Sequence, residues 1–158
     1  MDKKSCHARH AAGDVPLASL DTDAVDFGFL SAARYFFISF SECDASAWVM
    51  TMLGSESFFP GPDSAEKMRR ALAVVHEMRT SRRSMFRFSN PRCQGCSAIV
   101  TQDERYLLQL IQNARAGHGS QVASSAMLLC EGNSTERVIA AAYGFADLVS
   151  KRKARLHA

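Results

Sequence analysis

Two of the five cysteines, Cys93 and Cys96, stand two residues apart in the run Cys93-Gln94-Gly95-Cys96. Thiolates are soft ligands, and a pair at this spacing can hold one zinc ion from a single tight turn. Which distant residue completes such a site depends on geometry. The pattern that follows predicts a helix over 102–116, roughly 20 Å long at ~1.5 Å per residue. His118 lies at its far end, out of reach of the pair. A second helix over 120–131 travels back by about 18 Å on the same rise and returns Cys130 to the pair. Cys93, Cys96 and Cys130 are therefore the expected metal ligands, and zinc the expected cofactor, pinning the 90–100 loop. A closed structural site takes a fourth ligand, for which Cys43, His76, Glu131 and the Cys6-His7-x-x-His10 cluster qualify by residue type.

Two other readings compete with the metal. Cys130 is equally a small core residue, since unligated cysteine buries readily. Alternatively, Cys93 and Cys96 are redox thiols, with Arg92 favouring a thiolate. Against the redox reading, Ser97 to Val100 separate Cys96 from the capping residue Thr101, and no strand–helix–strand pattern surrounds the pair. Three well-placed cysteines also fall short of the four that an iron–sulfur cluster ordinarily uses.

The second chemical feature is basic. Arg79, Arg82, Arg83 and Arg87 lie in a stretch that also holds Phe86 and Phe88 and no acidic residue. Arginines can track a phosphate backbone while aromatic rings stack on bases, which makes nucleic acid a candidate partner for these four. The plainer alternative, which we favour, is a solvated helix end whose aromatics plug the core. No Gly-x-Ser-x-Gly elbow, glycine-rich phosphate loop or His-Glu-x-x-His helix occurs, so no familiar motif supports catalysis.

The elements that must position these residues read as helices. The aromatic run over 26–42 fits a helix or a buried strand, and the lack of a second strand of similar quality favours the helix. Phe36, Phe37, Phe40 and Trp48 are expected in the core; any left exposed would favour self-association. Asp44 can cap a short helix through Met52, with Trp48, Val49 and Met52 inward and Gly54 as its stop. Pro60-Gly61-Pro62 breaks the chain, and Asp63-Ser64-Ala65-Glu66 has the form of a capping box before a helix with Met68, Ala71, Leu72, Val75 and Met78 inward. Thr101-Gln102-Asp103-Glu104 is a second box, and Gly117 ends its helix. Val122, Ala126, Leu129 and Cys130 mark the inner face of the next. Asn133 to Glu136 is read as a third cap, ahead of a stripe of Val138, Ala141, Ala142, Phe145, Leu148 and Val149.

Apolar residues make up 47% of the chain and charged ones 22%, a balance that suits a globular protein. The net charge of +3 hides a division: residues 1–66 carry 4 basic and 10 acidic side chains, residues 67–158 carry 15 and 6. Such asymmetry points to an anionic partner or to attraction between the halves. No apolar stretch is long enough to span a bilayer, no signal-peptide core follows the N-terminal lysines, and five cysteines argue against a disulfide framework. The expectation is a cytoplasmic protein with no membrane association. Its expected fold is all-α: a single-domain bundle of five or six helices, the last three antiparallel. Residues 1–20 are expected to be a flexible lead-in, 21–150 the bundle and 151–158 a basic tail. The functional expectation is a non-enzymatic accessory or regulatory protein with a structural zinc site, acting on a protein partner or a second copy. The alternatives are a nucleic-acid-binding regulator and a thiol redox sensor.

Overall fold

The computed structural model describes residues 11–42 and 46–155. The chain there is all-α, with eight helices: α1 (Ala24–Ser41), α2 (Ser46–Leu53), α3 (Ser55–Phe58), α4 (Ser64–Ser81), α5 (Gln94–Ser97), α6 (Gln102–Ala116), α7 (Gly119–Leu129) and α8 (Glu136–Arg155). Six of them have eight or more residues. Two short strands, β1 (Val15–Pro16) and β2 (Ile99–Val100), pair antiparallel with Val15 opposite Val100. No helix among the described residues is long and apolar enough to cross a membrane.

The ambiguous aromatic run is helix α1. Asp23 caps it by accepting from the amides of Val25 and Asp26, while Asp26 reaches back to the Asp23 amide. Its direction relative to α6 follows from pairs at both ends. Arg115, late in α6, binds Asp23 and Asp26, whereas Glu104, early in α6, binds Arg34 midway along α1. The two helices run antiparallel. So do α4 and α8, since Arg137 meets Glu77 near the end of α4 while Gly144 meets Arg70 near its start. Gly117, in the left-handed region at φ +75°, ends α6 and lets α7 turn back along it. The last three helices therefore form the expected antiparallel unit.

Phe29, Phe36, Met68, Met78, Leu107, Ile111, Leu129 and Phe145 form the centre of one core drawn from α1, α4, α6, α7 and α8. A smaller cluster of Leu30, Val100 and Leu108 is covered by Val15, Leu17 and Leu20. Residues 15–20 thus belong to the folded body rather than to a lead-in: the Leu17 amide donates to Ala98 O at 2.8 Å, and a 3₁₀ turn spans Leu17–Ser19. Residues 1–10 lie outside the described residues.

Local expectations fail at three places. Asp63 sits in the left-handed region at φ +65° and makes no side-chain cap; Glu66 instead binds Arg69 and Arg70. Asn133 does not open α8. Its amide donates to Cys130 O at 2.8 Å and closes α7. On α2, Met52 packs against the core as expected, whereas Trp48 and Val49 are exposed and Thr51 is buried. Asp44 lies outside the described residues.

Candidate functional site

The 93–97 turn is built from the backbone outward. Asn90 precedes a proline, leaves helical geometry and accepts the Arg92 amide on its side chain at 2.9 Å. Cys93 then serves as the N-cap of α5: its Sγ accepts the Cys96 amide at 3.4 Å and its carbonyl accepts the Ser97 amide at 2.8 Å. Cys93 is half-buried, and Cys96 is 8% exposed. The sequence showed no capping residue next to the pair because cysteine is not an ordinary cap; here the thiol itself fills that place.

Arg34 holds this turn against the bundle. Its Nη1 donates to Ser97 O at 2.8 Å and its Nη2 to Ile99 O at 2.6 Å. The same guanidinium meets both oxygens of Glu104, at 2.7 and 3.0 Å, in a pair almost wholly removed from water. Glu104 also accepts the amides of Ser89 and Thr101, so every strong acceptor in this buried pair is used. Arg34 carries no motif. Its one signal is a lone charge within an apolar helical run, which burial requires to be paired.

Cys130 does return to the start of α6. Arg82 ties the two regions together by donating to Leu129 O at 2.8 Å and to Asp103 at 3.3 Å. The thiol itself is fully buried in the main core, within hydrogen-bonding reach of the Ser81 hydroxyl, and burial pushes its pKa up. Among the described residues, no group of three or more His, Cys, Asp or Glu side chains is placed to hold a metal ion. Cys93 and Cys96 are brought together, and Cys130 does not complete a ligand set with them. Of the fourth-ligand candidates, His76 is exposed on α4 and Glu131 is engaged with residues 82–84. Cys43 and the 6–10 cluster lie outside the described residues.

The basic stretch is largely neutralised within the chain. Arg82 is 6% exposed and paired with Asp103 and Glu131; Arg87 binds Asp14 at 2.9 Å. Glu131 accepts the amides of Arg83 and Ser84 and the Ser84 hydroxyl, contacts that hold its carboxyl down at about 2. Arg79 lies over the Phe40 ring at 4.4 Å, and Arg83 is exposed. Phe86 stacks on Phe37 at 4.2 Å between ring centres, with Phe88 beside it at 5.4 Å. The two aromatics therefore plug the core edge.

That packing leaves an open cleft of about 210 Å³ between the ends of α1 and α4, lined by Phe37, Phe40, Arg79, Met85, Phe86 and Phe88. Met85 is 89% exposed at its mouth. α2, which packs on the same two helices, presents Trp48, Met50 and Leu53 to solvent at 50, 65 and 76%. No protein-family model matches the chain, and no curated protein or solved structure is detectably similar to it.

Proposed function

We propose that this chain is a non-catalytic accessory protein of the cytoplasm that captures an acidic segment of a protein partner. The observation that carries the reading is the aromatic cleft with a cation at its edge. Phe37, Phe40, Phe86 and Phe88 offer an apolar floor for one bulky side chain, and Arg79 stands over Phe40 where a partner carboxylate would meet it. Arg82 also lines the cleft but is paired with Asp103 and Glu131, so Arg79 is the cation that meets the partner. The terminal segments of the chain do not complement this cation: residues 1–10 carry one acid and three bases, and residues 151–158 carry four bases and no acid. An odd set of five cysteines fits a reducing compartment better than a disulfide framework.

The test uses a short fluorescent peptide of aspartate and glutamate around one leucine, its lysine-substituted counterpart and a single-stranded oligonucleotide. The acidic peptide is expected to bind the full chain, and Arg79→Glu and Phe40→Ala to weaken it at least about tenfold each. Both side chains lie at the surface, so both variants should fold. Equal binding of the lysine peptide would overturn the reading. So would tight oligonucleotide binding lost in Arg83→Ala, or a dimer stable at micromolar concentration that excludes the peptide.

A further inference from the structure

We infer that Cys93 and Cys96 form a reversible disulfide, with Cys93 as the attacking thiol and Cys96 as the resolving one. The inference is independent of the aromatic cleft. Three features of the turn carry it. The first is reach. Cys93 is the N-cap and Cys96 the third residue of the α5 turn, so the residues between them are helical and their Cα atoms lie roughly 5 Å apart. A disulfide spans Cα separations of about 4.4–6.8 Å, so no backbone rearrangement is needed. The Cys93 sulfur already lies 3.4 Å from the Cys96 amide nitrogen.

The second feature is rigidity. Arg34 fastens Ser97 O and Ile99 O, the Cys93 carbonyl holds the Ser97 amide, and β2 is paired with β1. The thiols are thus held near each other before any reaction, which removes most of the closure cost. The third is asymmetry. Cys93 is the more accessible of the two, and the Cys96 amide points at its sulfur, where it stabilises a thiolate. Cys96 is nearly covered and suits a second, internal attack. Cys130, deep in the core with its pKa raised, stays outside this chemistry.

With a hydroperoxide as oxidant the steps balance. The Cys93 thiolate attacks the terminal peroxide oxygen; the O–O bond breaks, and the alcohol leaves with a proton, giving a sulfenic acid on Cys93. The Cys96 thiolate then attacks the Cys93 sulfur, the S–O bond breaks, and hydroxide leaves as water with the second proton. Two thiols and one hydroperoxide become one disulfide, one alcohol and one water. A small dithiol reverses the product by exchange.

The experiment treats the reduced full chain with tert-butyl hydroperoxide, quenches with an alkylating agent and reads intact mass and peptide maps. The expected product has lost two hydrogens, maps to Cys93–Cys96 and is restored by dithiothreitol. Cys96→Ser should stop at a sulfenic acid on Cys93 that dimedone traps, and Cys93→Ser should not yield the disulfide. Circular dichroism confirms that both variants fold. A disulfide mapped to any other pair, no sulfenic acid in Cys96→Ser, or stoichiometric zinc that protects both thiols as purified would each overturn the inference.

Discussion

At the residue scale, the burial of Arg34 and Glu104 says most about this protein. A charged pair in a dry core gains little over a well-packed apolar pair, but breaking it strands the surviving charge. Arg34→Met should therefore cost about 3–5 kcal/mol, because Glu104 is left charged in the core and two loop carbonyls lose their donor. Urea unfolding measures it; a loss below about 1 kcal/mol would mean the pair is solvated in solution. Cys93 teaches a related lesson. Its sulfur takes a backbone amide that a serine or aspartate ordinarily takes, so a chemical residue and a capping residue coincide.

At the element scale, the segment after α4 is set by carboxylates on α6 and in the turn that follows α7. Glu131 and Asp103 accept the amides of Arg83, Ser84 and Arg87, and Thr101 Oγ1 donates to Arg87 O at 2.7 Å. A chain without strand partners thus finds its hydrogen bonds in side chains. The consequence is a pH dependence. The Glu131 carboxyl is held at about 2, below its usual 4.5, by the Ser84 hydroxyl, the Ser84 and Arg83 amides and the Arg82 charge. A depressed folded-state pKa contributes stability that is fully present above the unfolded value and is lost as pH falls from about 4.5 toward 2. Glu131→Gln should make stability fall less steeply over that window, as read from urea midpoints at several pH values. An unchanged slope would show that the segment is not held by this carboxylate.

At the scale of the whole molecule, the divided charge of the sequence is answered within the fold. Acids of the first half meet bases of the second in Asp14–Arg87, Asp23–Arg115, Asp26–Arg115 and Glu42–Arg92. Attraction between the halves accounts for the asymmetry in these pairs. The residues ahead of α1 are part of the same closure. A chain beginning at residue 21 loses Val15, Leu17 and Leu20 from the second cluster and the strand partner of β2. It should be less stable than a chain beginning at residue 11 by about 3 kcal/mol, from the apolar area uncovered. Equal thermal midpoints would refute this.

The helices were legible because they are local. Apolar residues at three- and four-residue spacing, the box at Thr101 and the glycine at 117 act within a turn or two, and the return of α7 follows from them. Tertiary structure decided what depends on rotation about a helix axis or on distant charge. Cys130 comes back to the right end of α6 but faces the core; Trp48 and Phe40 face solvent; Arg34 acquires Glu104 seventy positions along the chain. Spacing along a sequence sets how far a helix travels, whereas the direction a side chain faces is settled by the neighbours that bury it.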